Sequence, residues 1–387
     1  MKNNAFAMMT ALIWLLSLHV SAQVKVGAAR TDKFYFLLKN KTVGIVANNA
    51  SVVDGRNTVD ILIKDGIHLT RIFSPEHGFR LNVEAGQQVD HSTDSTTGVQ
   101  VISLYGTRKK PAKDDLAGLN VILFDLQDVG VRFYTYISTL TYMMEACAEN
   151  HIPLIVLDRP NPNGFYVDGP VLEKQFTSFV GMHPVPIVYG MTIGEYALMV
   201  NGEEWLSGGI KCNLKVIPIE SYTHFTQYEL PVKPSPNLPN MNSIRLYPSL
   251  CLFEGANVSV GRGTPYPFEV FGYPGYKSAD FLFTPQSIPG MSANPPYKDQ
   301  ECSGVDLREF YKNHPGSSGK INLEWLIDSY SDWNDKPGFF NNYFNRLAGN
   351  ESLQIQIIRG LSEKKIRASW KPGIEKFKKI RKKYLLY

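Results

Sequence analysis

Residues 120–128 read NVILFDLQD, a short apolar run rich in β-branched residues that stops on two carboxylates, Asp125 and Asp128. A run without polar alternation suits a strand buried on both faces, as in a parallel sheet. Three more runs of this kind flank it: 42–48 (TVGIVAN), 69–74 (LTRIFS) and 153–158 (PLIVLD). Between 120–125 and 153–158 the pattern turns helical. Leu140, Met143, Met144 and Cys147 recur at i, i+3, i+4 and i+7, behind Ser138 as the expected N-cap of a helix over 138–150. Strands alternating with helices predict an α/β fold with a Rossmann-like parallel sheet.

Farther along, residues 170–300 are irregular and rich in Pro, Gly and aromatics. One helix stands out over 192–206, where Thr192 and Glu195 have capping-box spacing and Ile193, Tyr196, Ala197 and Val200 form an apolar face. The remainder returns to helical patterns, with 353–358 (LQIQII) read as a strand and 373–387 as a basic amphipathic helix whose cationic face is either solvated or in contact with an anionic polymer.

The 387 residues are 43% hydrophobic and 20% charged, which excludes disordered and coiled-coil classes. Forty basic against 36 acidic residues leave a net charge of +4, a balance that requires no nucleic acid partner. At the N-terminus, Lys2 precedes an apolar run over 5–20, and Val20-Ser21-Ala22 fits a small-residue cleavage site. The segment 1–22 is therefore expected to be a signal peptide rather than a membrane anchor, with no stable membrane insertion after cleavage and the mature chain exported to the periplasm or secreted. The four cysteines, Cys147, Cys212, Cys251 and Cys302, are dispersed through mostly apolar runs and read as buried free thiols.

Chemistry concentrates where the predicted strands end. One ends at Asn48-Asn49 and another runs into Ser74-Pro75-Glu76-His77-Gly78. The third leads through Asp128 to Arg132, Tyr134 and Tyr136, and the fourth into Asp158-Arg159-Pro160-Asn161. Open α/β sheets bind ligands beyond the carboxyl ends of their strands, so these ends define a candidate site. Glu76, held in a Pro–Gly turn among aromatics, suits a general acid, with His77 in support. The loop 233–240 (KPSPNLPN) brings Asn237 to a cleft wall. Glu254 and Arg262, bracketed by glycines, read either as site groups or as a local ion pair. None of the patterns GxGxxG, GxxxxGK[ST], HExxH or GxSxG occurs. Carboxylates, arginines and aromatics in one cleft suit carbohydrate chemistry, in which two acids flank a glycosidic bond.

The same segments carry a family resemblance. SPEHGFR (74–80), FDLQDVGVRFYTYISTL (124–140), VLDRPNPNGFYVDGPVL (156–172), SFVGMHPVPIVYGMTIGEYA (178–197), KPSPNLPN and LFEGANVSVGRGTPYPF (252–268) resemble the NamZ exo-β-N-acetylmuramidases, glycoside hydrolase family 171, collinearly from about residue 40 to the C-terminal RKKYLLY. The resemblance implies cleavage of terminal N-acetylmuramic acid from peptidoglycan-derived muramyl saccharides, with no metal or organic cofactor. It also implies a Rossmann-like domain over 23–235 and a smaller α+β auxiliary domain over 236–387, with the active site between them. Glu76 matches the family's carboxylate motif, and Glu254 or Asp128 is the expected partner. Arg132, Arg159 and Arg262 are the candidates for the substrate's lactyl carboxylate, since a planar guanidinium fits a carboxylate best. Tyr134 and Tyr136 would contact the sugar, as would the polar groups of Asp158, Asn161 and Asn237. A peptidoglycan deacetylase or esterase, or a muropeptide-binding protein without turnover, are the alternative readings.

Overall fold

The computed structural model describes residues 23–76, 78–80 and 92–387. The expected signal peptide, 1–22, and His77 lie outside the described residues.

The four apolar runs form strands: β1 (Val43–Ala47), β2 (Leu69–Ser74), β5 (Val121–Asp125) and β6 (Leu154–Leu157). They join β3 (Ser92–Thr93), β4 (Gln100–Ser103) and β7 (Leu214–Ile217) in a sheet of order β3-β4-β2-β1-β5-β6-β7. All pairings are parallel except β3 with β4. The chain starts at the centre, builds outward through β2 to β4, then returns to place β5 on the other side of β1. That reversal makes the crevice beyond β1 and β5 a topological switch point.

Neighbouring residues of a strand enter different cores, the direct result of the two-residue period. Val46, Phe73, Ile122, Phe124 and Val156 pack on one face. Ile45, Ala47, Ile72, Leu123 and Leu157 pack on the other. The first core continues without a break through Leu250, Phe253 and Phe271 to Trp370 and Phe377, so the C-terminal part shares it. That part carries a smaller antiparallel sheet of β8 (Val270–Tyr273), β9 (Phe281–Phe283) and β10 (Cys302–Asp306), with β10 in the middle.

Several local expectations change in the tertiary context. The helix expected over 138–150 spans Tyr136–Glu149, and Ser138 is not its cap but donates to the Phe179 carbonyl at 2.6 Å. The 353–358 run is a helix, Ser352–Ile358, rather than a strand. Its buried residues, Leu353 and Ile357, are four apart, while Ile355 and Ile358 face solvent. The last helix starts earlier than expected and stops sooner, running Glu363–Arg381 straight through Pro372. The Thr192–Glu195 capping box forms as read, at the start of the helix Ile193–Gly202. All four cysteines are buried free thiols. Among the described residues no helix is long and apolar enough to cross a membrane.

Buried polar groups tie these elements together. Arg159 makes a two-pronged ion pair with Asp125, at 2.6 and 2.9 Å, and donates to the Val52 carbonyl. Asp158 accepts from the Thr192 hydroxyl, the Gly194 amide and the Tyr387 hydroxyl. Asn161 donates to the Met191 carbonyl and accepts from the Asn163 amide. Arg132, wholly buried, has no carboxylate partner; its terminal nitrogens donate to the carbonyls of Pro170, Val185, Leu347 and Ala348 at 2.8–2.9 Å. Burial pushes its pKa down to about 9, which still leaves it charged at neutral pH. The last two carbonyls end the helix Phe344–Ala348 of the C-terminal part, so one side chain caps that helix and fastens it to the loops that hold Pro170 and Val185. Gly349 follows at φ 79°, and a Cβ there would lie 2.6 Å from an Arg132 nitrogen.

Two outcomes follow for stability. Arg132→Met takes the Arg132 donors from the buried carbonyls of Pro170, Leu347 and Ala348, while Val185 keeps the Leu172 amide at 3.1 Å. It is expected to cost on the order of 3–5 kcal/mol, lowering Tm by roughly 5 °C or more, and an unchanged Tm would remove the capping role. Burial, opposed by the Thr192 hydrogen bond and reinforced by the neighbouring Glu195 carboxylate, pushes the Asp158 carboxyl up to about 7. The folded protein therefore holds a proton that the unfolded chain releases. The associated stability is complete below about pH 4 and disappears as pH rises through about 7. The urea midpoint should fall between pH 5 and 8, with a shallower fall in Asp158→Asn; equal slopes would refute the assignment.

Candidate active site

Glu76 follows β2 directly, in a turn closed by the Gly78 amide on the Pro75 carbonyl at 3.2 Å. Gly78 sits at φ 77°, a left-handed conformation that suits glycine. The turn delivers the partly buried Glu76 side chain to the junction of two cavities beyond the strand ends. The larger, about 450 Å³, is walled on the sheet side by Tyr105, Lys109, Phe133 and Phe179, and on the C-terminal side by Tyr247, Glu254, Tyr343 and Arg346. The smaller, about 70 Å³, is lined by Tyr134, Tyr136, Asn237 and Phe268. Arg262 borders both, as Glu76 does.

The tyrosines are fixed before any ligand arrives. Tyr134 and Tyr136 both donate to the Pro234 carbonyl, at 2.9 and 3.3 Å, and Tyr136 also accepts from the Asn48 amide at 2.7 Å. Asn237 donates to the Met291 carbonyl at 3.0 Å. On the facing wall Glu254 accepts from Arg262 Nε at 2.5 Å, so the local ion pair does form, yet both partners remain in the cavity lining. Burial works against the Arg262 charge, but the Glu254 carboxylate outweighs it and holds the guanidinium above the usual arginine pKa. The Arg262 guanidinium also lies 5.0 Å from the centre of the Phe268 ring.

The structure thus brings Glu76, Tyr134, Tyr136, Asn237, Glu254 and Arg262 to one cleft. It places the other candidates elsewhere. Arg132, Asp158, Arg159 and Asn161 do not line it; their polar groups are spent on backbone carbonyls, helix amides and the Asp125 pair. Asp128 is buried behind the cleft, accepting from the Tyr189 hydroxyl and the Gly130 amide, and burial raises its pKa to about 6. Unusual polar residues at strand ends have two uses, ligand binding and the satisfaction of buried backbone, and only three-dimensional placement separates them.

Several lining residues escaped the sequence reading, among them Tyr105, Lys109, Tyr247, Tyr343 and Arg346. Tyr105 and Lys109 follow β4, a β-branched run (100–103) whose signal was available but not used. Tyr343 and Arg346 belong to a short helical segment with no motif around it. Among the described residues no cluster of three or more His, Cys, Asp or Glu side chains is arranged to hold a metal ion.

Comparison with known proteins places this geometry in a family. Residues 43–242 match the N-terminal family model of the exo-β-N-acetylmuramidase NamZ, and 245–387 match its C-terminal model. The peptidoglycan β-N-acetylmuramidase NamZ of Bacillus subtilis (strain 168) is 40% identical over 369 residues, 90% of this chain and 88% of the relative. Two crystal structures of DUF1343 family proteins from Bacteroides fragilis NCTC 9343 share the fold. One is 46% identical with a TM-score of 0.88, covering 95% of this chain and 99% of that one. The other is 28% identical with a TM-score of 0.81, covering 94% and 99%. Matched along nearly its whole described length, the chain belongs to the NamZ exo-β-N-acetylmuramidase family.

Proposed function

We propose that this protein is a glycoside hydrolase that releases N-acetylmuramic acid from the non-reducing end of peptidoglycan fragments. The observation that carries the reading is the position of Glu76, at the meeting point of a chamber with room for a sugar and a recess too small for one. The chamber takes the terminal sugar. The recess, walled by two tyrosines and Asn237, takes a small polar substituent such as the 2-acetamido group.

Glu76 serves as general acid. Its side chain borders both the chamber and the recess, the position from which a general acid reaches the oxygen of a departing group. Glu254, which lines the same chamber, is the partner carboxylate rather than the buried Asp128. The ion pair with Arg262 fixes its orientation. A fixed negative charge of this kind stabilises an oxocarbenium-like transition state.

The apolar run over 5–20 and Val20-Ser21-Ala22 support export, which brings the enzyme to the compartment where cell-wall fragments arise. The mass of the mature protein should then begin at Gln23, and a mass that includes residues 1–22 would overturn this part. Glu76→Gln should lower kcat on a chromogenic β-N-acetylmuramide by about 10²–10⁴-fold with Tm unchanged. Near-wild-type turnover would remove Glu76 from the mechanism. An intact MurNAc-GlcNAc disaccharide after digestion with the wild type would remove the glycosidase reading itself.

A further inference from the structure

We infer that Lys109 and Arg346 form the anion-recognition site of the cleft and that their ligand is the lactyl carboxylate of N-acetylmuramic acid. The inference rests on the muramidase reading and names the groups that make the enzyme prefer this sugar to N-acetylglucosamine, which lacks the lactyl ether.

The charges around the chamber single out these two residues. Its lining holds two carboxylates, Glu76 and Glu254, and three cations, Lys109, Arg262 and Arg346. Arg262 is paired with Glu254. Arg132 and Arg159, the other guanidiniums near the strand ends, are spent on carbonyls and on Asp125. Lys109 and Arg346 remain, and neither has a carboxylate within ion-pair distance among the described residues. A cleft built to hold only a neutral sugar has no use for two cations outside any ion pair and an excess of positive charge in its lining. One that selects a carboxylate does.

The two cations reach the chamber from different parts of the chain. Lys109 leaves the loop after β4, and its ammonium rests 4.3 Å from the centre of the Phe179 ring. That ring stacks on Tyr142 with an interplanar angle of 11°, and the Phe179 carbonyl is held by Ser138 at 2.6 Å. Arg346 stands on the helix Phe344–Ala348, whose final carbonyls Arg132 caps. The guanidinium can grip a carboxylate with two parallel N–H donors, and the ammonium adds a point charge. Arg132 thereby acts as a positioning residue for Arg346.

The recognition predicts selectivity within the substrate class. In intact muropeptides the lactyl carboxylate is consumed in an amide bond to the stem peptide, so the site favours sugars whose peptide has already been removed.

Calorimetric titration of free N-acetylmuramic acid, its lactyl methyl ester and N-acetylglucosamine into wild type, Lys109→Met and Arg346→Met tests the inference without requiring turnover. Wild type should bind the acid about tenfold or more tightly than the other two. Each variant, with Tm unchanged, should lose about tenfold on the acid and nothing on the ester or on N-acetylglucosamine. The inference fails if wild type treats the three ligands alike, or if the variants weaken all three equally. Hydrolysis of a β-N-acetylmuramide by wild type is read in parallel. A preference for the acid without turnover would sustain the anion site and sink the muramidase reading; turnover without the preference would do the reverse.

Discussion

A single buried guanidinium fixes how the two parts of this protein meet. Arg132 gives its terminal donors to carbonyls of two loops in the sheet-bearing part and to the last carbonyls of a helix in the C-terminal part. A carboxylate in its place of contact would satisfy the charge but tie it to one element. Four carbonyls from three separate segments neutralise it by dipoles and lock those segments in one arrangement. The cost of burying the charge is met by the helix-end carbonyls of Leu347 and Ala348 and the loop carbonyl of Pro170, which would themselves be expensive to bury unpaired, with Val185 as a shared acceptor. Because that helix carries Arg346 into the cleft with Tyr343 at its N-cap, the far wall of the site depends on a residue that never lines it.

The cleft follows from sheet topology. The chain reverses its direction of strand addition between β4 and β5, which opens the crevice beyond β1 and β5. The C-terminal part closes that crevice from above because it shares the core on one face of the sheet. Polar residues beyond the strands then divide by depth. The deepest, Asp125, Asp158, Arg159 and Asn161, hold the strand ends in register with the loops. The shallower ones, Glu76, Glu254, Arg262 and Arg346, line the cavity. Even the chain terminus contributes to the deep layer, since the Tyr387 hydroxyl reaches Asp158 and the Leu386 amide reaches Glu195.

Much of the site was legible in residues 74–80 and 252–264, where glycine and proline bracket charged side chains. Glu76 and Glu254 were readable as cleft residues because a side chain presented to a cavity needs a turn that holds it there, and turns have a sequence signature. Arg132 was misread because a guanidinium that binds carbonyls looks, in sequence, the same as one that binds a substrate carboxylate. Arg346 carried no signal. It lies on a five-residue helix whose position is set by contacts more than 160 residues away in the chain. The 353–358 run was misread for a related reason: LQIQII satisfies a two-residue period as well as a four-residue one, and only Leu353 and Ile357 meet the core.

The sequence alone determined the α/β class, the four central strands, the capping box at Thr192 and the turn that carries Glu76, because each depends on the residues within it and their immediate neighbours. Tertiary structure decided which charged groups face the cleft and which serve the scaffold. That choice is made by burial, and burial belongs to no single segment. A buried Asp or Arg must find partners wherever the chain brings them, whether a carbonyl at the end of a distant helix or the hydroxyl of the last residue. What remains unpaired at the surface of the cleft is what a ligand can meet.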